Sequence, residues 1–152
     1  MQAIILAAGM GKRLGKLTKN NTKCMVKVNG IPLIDRMLSQ IEQCSVERII
    51  IVTGYESEKL CEYVESSDIR TPIVYVNNPD YNKTNNIYSL SLVSDYLCSD
   101  DTILLESDII FEDSVLKELV NDPRPDLALA DRYEAWMDGT CLRLDENDNI
   151  IE

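Results

Sequence analysis

The chain has 152 residues, of which 45% are hydrophobic and 27% charged, the composition of one globular domain that can bury its own core. Its net charge of −11 argues against a nucleic-acid partner, and the absence of histidine excludes histidine-dependent triads and metal sites within this chain. Its five cysteines are scattered without a C-x-x-C pair, which favours a reducing compartment, and we expect a cytoplasmic protein. The apolar stretches are shorter than the ~20 residues of a membrane helix, so we expect no membrane partner.

In the first half of the chain, apolar runs alternate with a helical pattern. The run Gln2–Ala8 predicts a buried first strand, and Arg48–Thr53 predicts a second. Between them, Pro32 is suited to open a helix that continues to about Cys44. The apolar residues of this helix recur at the spacing of one buried face: Leu33, Ile34, Met37, Leu38 and Ile41.

The second half of the chain continues the same alternation. Two helices are predicted around residues 60–64 and 115–120. A third is predicted after Asn85 or Asn86 as its N-cap, and its buried face would consist of Leu90, Val93 and Leu97. The predicted strands are Ile73–Val76, Thr102–Leu105 and Leu127–Ala130, and residues 140–144 and 150–151 are expected to form a hairpin. Strands that alternate with helices predict an α/β fold with a doubly wound, mostly parallel sheet, in which ligands bind at the carboxyl ends of the strands.

A glycine-rich loop with basic side chains, LAAGMGKRLG (6–15), follows the first strand. Residues 1–30 hold six lysine or arginine side chains and no acidic one, so all 26 carboxylates of the chain lie elsewhere. Such a local cationic patch suits a small polyanion, although a solvated lysine-rich loop has the same charge. The spacing is neither that of a P-loop nor that of the dinucleotide fingerprint, because Leu14 stands where the third glycine is needed and Gly15 comes one residue late.

The longer pattern LAAGMGKRLG followed by TKNNTKCMVKVNGIPLIDRML resembles the signature of the nucleotidyltransferases that activate phosphorylated sugars and alcohols. The segments NNPDYNKTNNIYSL and LLESDIIF are most similar to the branch that makes CDP-choline or CDP-aminoethylphosphonate. This resemblance implies a Rossmann-like nucleotidyltransferase fold, with residues 1–152 as one nucleotidyltransferase domain whose C-terminal part is missing. One departure is Thr22, which replaces the proline of the motif and predicts a looser placement of Lys23.

The resemblance implies an enzyme that transfers CMP from CTP to a small phosphorylated amine or alcohol, such as phosphocholine or aminoethylphosphonate, and releases pyrophosphate. The implied cofactor is Mg²⁺, and a homo-oligomer or a fused partner domain stays open. Three alternative functions also stay open: a sugar-1-phosphate nucleotidyltransferase that uses UTP, dTTP or GTP, a nucleotide-binding module without activity of its own, and an NAD(P)-dependent oxidoreductase.

The resemblance also implies roles for individual residues. Arg13 is expected to hold the β- and γ-phosphates and Lys23 the α-phosphate and the incoming phosphate, so these two are the candidate catalytic residues. Asp108 would bind Mg²⁺ at a site that a second aspartate, far downstream, completes in the family; the alternative for Asp108 is a helix cap. The expected nucleotide contacts are Leu6, Ala7, Ala8, Gly9, Met10, Gly11, Lys12, Arg13, Asn86 and Ser89.

Two side chains, Trp136 and Asn86, have more than one interpretation. Trp136 and Asp138 are candidate substrate contacts, because an aromatic face beside acidic groups suits a cationic head such as choline. Trp136 is also suited to cover the core. Asn86 is a candidate for a contact with the nucleobase or for the cap of the next helix. Glu106 is expected to alternate to the opposite side of the strand from Asp108 and not to bind a metal ion.

Overall fold

The fold is described for residues 1–137, 139 and 141–151 of a computed structural model. These residues form two compact units, Met1–Lys117 and residues 118 onward. Along the described part of the chain, no helix has both the length and the apolar character that crossing a lipid bilayer demands. That residues 1–152 make up a single nucleotidyltransferase domain stays a prediction.

Strands and helices alternate along the chain in the way the sequence predicts. The strands are β1 (Gln2–Leu6), β2 (Lys27–Val28), β3 (Ile31–Pro32), β4 (Ile49–Thr53), β5 (Ile73–Asn77) and β6 (Thr102–Glu106). The α-helices are α1 (Leu33–Glu42), α2 (Ser57–Glu65), α3 (Asn86–Ser91), α4 (Ser94–Leu97) and α5 (Asp113–Asn121). Two 3-10 segments, Lys12–Thr18 and Lys23–Met25, lie between β1 and β2.

Four of the strands form one parallel sheet in the order β5-β4-β1-β6. In this sheet, Leu6 of β1 lies opposite Val52 of β4 on one side and opposite Glu106 of β6 on the other. Because the strands are parallel, the loops that leave their carboxyl ends meet at one edge. The short strands β2 and β3 pair separately as an antiparallel hairpin. The α/β class and the mostly parallel sheet predicted from the sequence are confirmed.

The two central strands, β1 and β4, are buried along their whole length. On one face of the sheet, their apolar side chains form a cluster with Val93, and Leu90 and Tyr96 pack against it. Ile5 and Ile51 point to the other face, because successive side chains of a strand alternate, and they are also fully buried. Burial on both faces explains why these strands read as continuous apolar runs and agrees with a doubly wound sheet.

The helix predicted after Asn85 is divided into two shorter ones, α3 and α4. Val93 leaves the helical conformation, with φ of −117° and ψ of 20°, and its side chain is buried in the core cluster. Leu97, which was expected on the buried face, is exposed. The helical spacing of Leu90, Val93 and Leu97 therefore overestimated the length of this helix.

The second unit contains less regular structure than the sequence predicts. The prediction of a strand at Leu127–Ala130 is wrong: this segment pairs with no strand among the described residues, and Leu129 is exposed. The expected hairpin is reduced to one antiparallel bridge between Leu144 and Ile150, while Thr140 lies outside the described residues. A strand pattern without a neighbour to complete its hydrogen bonds does not make a strand.

Gly54 follows β4 at a point where two other segments come very close. A Cβ atom at this position would lie 2.7 Å from Tyr81 Cβ and 2.8 Å from the carbonyl oxygen of Ala8. The amide of the next residue, Tyr55, donates to that same carbonyl at 3.1 Å, so the chain cannot move away from it without losing a hydrogen bond. Glycine is therefore required here for packing.

We expect Gly54→Ala to lower the free energy of unfolding by about 1–3 kcal/mol, because an added methyl group in a packed region forces neighbouring atoms to move. Urea unfolding followed by circular dichroism measures the change. Gly9→Ala is the matched control, since a Cβ at Gly9 meets no described atom within 4 Å. Equal stabilities of the two variants would contradict the close approach of Gly54 to Tyr81.

Candidate functional site

The glycine-rich loop leaves the carboxyl end of β1 and is fastened by a buried threonine. The amide of Ala7 donates to the carbonyl of Val52 at 2.8 Å, which continues the strand pairing into the loop. Farther along, the Thr18 hydroxyl donates to the carbonyl of Gly11 at 3.0 Å and lies 3.4 Å from that of Gly15. Hydrogen bonds therefore hold the loop at both ends, one to β4 and the others within the loop segment.

Gly11 allows this loop to lie directly against the segment that carries Lys23. Its backbone is left-handed, with φ of +60°, a conformation that residues with a Cβ rarely adopt. A Cβ here would also lie 2.9 Å from Thr18 Cγ2 and 3.3 Å from Lys23 Cβ. The predicted phosphate loop and the predicted catalytic lysine are thus in close contact.

Thr22 takes over part of the role of the proline that the motif has at this position. Its φ of −75° lies within the range that a proline ring imposes. Its side chain is fully buried, and its Oγ1 is 3.1 Å from the sulfur of Cys24. Burial raises the pKa of the Cys24 thiol to about 11. The backbone that leads into Lys23 therefore follows an extended course that a buried side chain anchors.

The ammonium group of Lys23 forms an ion pair with Asp108 Oδ2. The side chain of Lys23 is 25% exposed and that of Asp108 36%, so solvent reaches both groups. Asp108 lies in the turn after β6, well before α5 begins at Asp113, so the helix-cap interpretation of Asp108 is wrong. The sequence assigned Lys23 and Asp108 to one site, and the structure brings their charged groups into contact.

Glu106 lies in the same site, contrary to the expectation that it points away from Asp108. The Nδ2 atom of Asn86 donates to both carboxylate oxygens of Glu106, at 2.8 and 2.9 Å. The pKa of Glu106 is raised, mainly because the carboxyl group is partly buried and to a smaller extent because Asp108 is negatively charged. The hydrogen bonds from Asn86 and the charge of Lys23 act in the opposite direction and lower this pKa. Strand alternation would place residues two apart on the same side and so gave no ground for the expectation, and in the structure Asp108 lies in the turn that directly follows Glu106.

The two asparagines at the start of α3 have different contacts. Asn85 caps the helix, its side-chain oxygen accepting from the amide of Tyr88 at 3.3 Å, whereas Asn86 is bound to Glu106. Ser89 is buried, and its hydroxyl accepts from Nδ2 of Asn78 at 3.0 Å. The capping interpretation of Asn86 is therefore wrong, while contacts of Asn86 and Ser89 with a nucleobase stay predictions.

The free cationic charge of the site lies on the glycine-rich loop. The side chains of Lys12 and Arg13 are exposed and form no ion pair with any described residue. A depression of about 570 Å³ beside the ends of β4 and β5 is mainly acidic. Its lining includes Lys59 and three glutamates in α2 or just before it, Glu56, Glu58 and Glu62. A triphosphate would be repelled by those carboxylates, so the loop is the better anion site.

Trp136 belongs to the second unit and is 79% exposed. The interpretation that it covers the core is therefore wrong. Its role as a substrate contact stays a prediction, and Asp138, the other candidate for that role, lies outside the described residues.

The carboxylates of Glu106, at the end of β6, and of Asp108, in the turn after it, suit an Mg²⁺ ion that phosphate oxygens also bind. Among the residues that the structure describes, no group of three or more histidine, cysteine, aspartate or glutamate side chains is arranged to hold a metal ion. Asp108 and Glu106 are hard oxygen donors, and they lie close enough for the charge of one to affect the other. Mg²⁺ commonly takes one or two carboxylates and completes its coordination with water and substrate phosphates. This pair of residues therefore fits an ion that arrives with a triphosphate.

Comparisons with known proteins agree with these features. The MobA-like NTP transferase domain matches residues 3–137. A 2-aminoethylphosphonate cytidylyltransferase of Lancefieldella rimae is 39% identical over 124 residues, which cover 81% of this chain and 47% of that protein. A UTP–glucose-1-phosphate uridylyltransferase of Haloferax volcanii is 31% identical over 161 residues, which cover 100% of this chain and 65% of that protein. The solved structure of the CTP:phosphocholine cytidylyltransferase from Streptococcus pneumoniae is 36% identical, with a TM-score of 0.61, and the match covers 70% of this chain and 44% of that one.

The chain spans about half the length of these two cytidylyltransferases. The family match nevertheless includes the parallel sheet except its first residue, Gln2, and the glycine-rich loop, together with Lys23, Asn86, Glu106 and Asp108. On this match, which extends over most of its length, the chain belongs to the family of MobA-like NTP transferase domains.

Proposed function

We propose that this chain carries the nucleotide-binding part of a cytidylyltransferase that transfers CMP from CTP to a small phosphorylated amine or alcohol. The observation that carries the proposal is the contact of Lys23 with Asp108 beside the glycine-rich loop. It joins a cation suited to an α-phosphate to a carboxylate suited to Mg²⁺. The acceptors named for the two cytidylyltransferases, 2-aminoethylphosphonate and phosphocholine, each combine a phosphorus oxyanion with a cationic nitrogen, and we extend that substrate class to this chain.

In the proposed reaction, an oxygen of the acceptor attacks the α-phosphorus of CTP. A new bond forms between that oxygen and Pα, the bond from Pα to the oxygen that bridges to Pβ breaks, and pyrophosphate leaves with the electron pair. The attacking oxygen is already anionic near neutral pH, since the second pKa of a phosphate is about 6, and no general base is required. The main task of the protein is therefore to bring two polyanions together and to neutralise their charge.

The chain has a suitable group for each part of this task. The backbone of Gly9–Gly11 lets amide groups approach phosphate oxygens without obstruction by side chains. The exposed guanidinium of Arg13 offers a planar fork for the β- and γ-phosphates, and Lys23 offers its charge to the α-phosphate. Asp108, with Glu106 beside it, would hold Mg²⁺, which when bound withdraws negative charge from the phosphate oxygens.

A sugar-1-phosphate nucleotidyltransferase is the second candidate. The uridylyltransferase of Haloferax volcanii matches along the full length of this chain at 31% identity, compared with 39% for the 2-aminoethylphosphonate cytidylyltransferase over 81% of the chain. The same phosphate-binding features would serve that reaction, so the nucleobase and the acceptor distinguish the two candidates.

Pyrophosphate release in the presence of Mg²⁺ separates these functions when CTP, UTP, dTTP and GTP are each combined with phosphocholine, 2-aminoethylphosphonate or glucose 1-phosphate. We expect the highest rate for CTP with one of the two nitrogen-containing acceptors. A preference for UTP or dTTP with glucose 1-phosphate would reject the cytidylyltransferase in favour of the second candidate. Calorimetric binding of CTP without any release would favour a nucleotide-binding module, and a longer chain that includes the region following residue 152 in the relatives, assayed beside it, separates that module from one part of a larger enzyme.

We expect Arg13→Ala to weaken CTP binding by roughly 10- to 150-fold, because each charge-assisted hydrogen bond that is lost costs roughly 1.5–3 kcal/mol. Isothermal calorimetry measures the dissociation constant. Lys16→Ala is the matched control, since Lys16 is an exposed cation of the same segment without an assigned phosphate contact. An unchanged affinity in Arg13→Ala would refute the assignment of the β- and γ-phosphates to this side chain.

We expect Lys23→Met to bind Mn²⁺ more tightly than the wild type when nucleotide is absent, although it binds CTP more weakly. A divalent ion that binds Asp108 has to displace the Lys23 ammonium from it. A partly exposed ion pair contributes about 0.2–1 kcal/mol, so the affinity for Mn²⁺ is expected to rise by up to about fivefold. Titration followed by electron paramagnetic resonance measures free Mn²⁺, with Lys16→Met as the charge-matched control. Weaker Mn²⁺ binding by Lys23→Met would contradict a metal site at Asp108.

A further inference from the structure

The side chains of Asn86 and Glu106 form a contact that has only one chemically sensible orientation. A carboxylate accepts hydrogen bonds and donates none, so only the nitrogen of the Asn86 amide can face it. That nitrogen lies between the two oxygens of Glu106, at 2.8 and 2.9 Å. The amide oxygen of Asn86 is therefore turned away from Glu106.

Glu106 is held in a fixed position for this contact because its backbone belongs to the sheet. It is the last residue of β6 and lies in register opposite Leu6 of β1. Leu6 is the first of the residues expected to contact the nucleotide, and the glycine-rich loop follows it directly. Asn86 opens α3, whose cap is provided by Asn85 and not by Asn86 itself. The Asn86 side chain thus has no part in capping and lies beside the carboxyl end of β1.

An asparagine that is held in this way differs from one that can rotate. A free amide presents either its oxygen or its nitrogen to a ligand and so tolerates both acceptors and donors. An amide whose nitrogen is held by a carboxylate presents its oxygen, which only accepts. Cytosine carries a donating amino group at the position where uracil carries the accepting O4 oxygen. The fixed amide oxygen can accept a hydrogen bond from the amino group of cytosine, but it has no donor to offer to the O4 oxygen of uracil.

We propose that Glu106 is a positioning residue for nucleobase selection: by holding the Asn86 amide nitrogen, it presents the amide oxygen as an acceptor for the exocyclic amino group of cytosine. This inference rests on the proposed function, because it requires CTP to be bound at the glycine-rich loop. Glu106 acts through Asn86 and does not itself touch the base. Its effect through Asn86 is on the ratio of the CTP and UTP affinities, whereas a part in holding Mg²⁺ with the triphosphate would change both affinities alike.

The test compares the dissociation constants of CTP and UTP, measured by calorimetry, in the wild type and in Glu106→Gln. The glutamine has the same size, but its amide can either accept from or donate to Asn86, so the Asn86 amide is free to turn. We expect the preference for CTP over UTP, which is the ratio of their dissociation constants, to fall by about fivefold or more. Glu112→Gln, which removes the same charge from an exposed glutamate after β6, is expected to keep the wild-type ratio.

A second variant keeps the test decisive if Glu106→Gln does not fold. Asn86→Ala removes the acceptor itself, so we expect it to weaken CTP binding by about fivefold and to leave UTP binding nearly unchanged. If CTP binds to the wild type and either folded variant keeps the wild-type ratio, the positioning role is overturned while the proposed function stands. If the wild type binds neither CTP nor UTP, the proposed function fails and this inference fails with it.

Discussion

β1 and β6 run in parallel with Leu6 opposite Glu106, and this register brings together the two oppositely charged parts of the chain. The glycine-rich loop, with its surplus of lysine and arginine, leaves one strand, while Glu106 ends the other and Asp108 lies in the turn after it. Neither group would be favourable alone, because like charges crowded at one edge of a sheet repel each other. Side by side they form a site in which a cation and an anion already face each other.

In the proposed reaction, ligand binding at that site would replace the ion pair of Lys23 and Asp108 by contacts of each with a ligand. Lys23 and Asp108 neutralise each other, and each has the charge that a different component of the proposed reaction requires: phosphate for Lys23 and Mg²⁺ for Asp108. Groups that are paired before and after binding avoid the cost of leaving a partly buried charge without a counter-ion. Lys12 and Arg13, the loop cations that we propose to bind the triphosphate, are exposed.

The elements that the sequence predicted well are those with a strong local pattern. Continuous apolar runs identified the central strands because both of their faces are buried, and the loop motif identified the neighbourhood of Lys23 and Asp108. The predictions that are wrong concern the surroundings of a segment. Leu127–Ala130 has the composition of a strand without a described neighbour to pair with. The contact of Asn86 with Glu106 joins residues from a helix and a strand 20 positions apart, and only the tertiary fold brings them together.

Cys24 lies next to Lys23 and yet is closed to solvent, and burial raises the pKa of its thiol to about 11. Only the thiolate reacts readily with electrophiles, and the raised pKa keeps the Cys24 thiol protonated at pH 7. Cys98 and Cys141 are exposed, so alkylating reagents reach them first. A maleimide dye or a spin label would therefore attach to the outside of the molecule and leave the backbone around Lys23 chemically untouched.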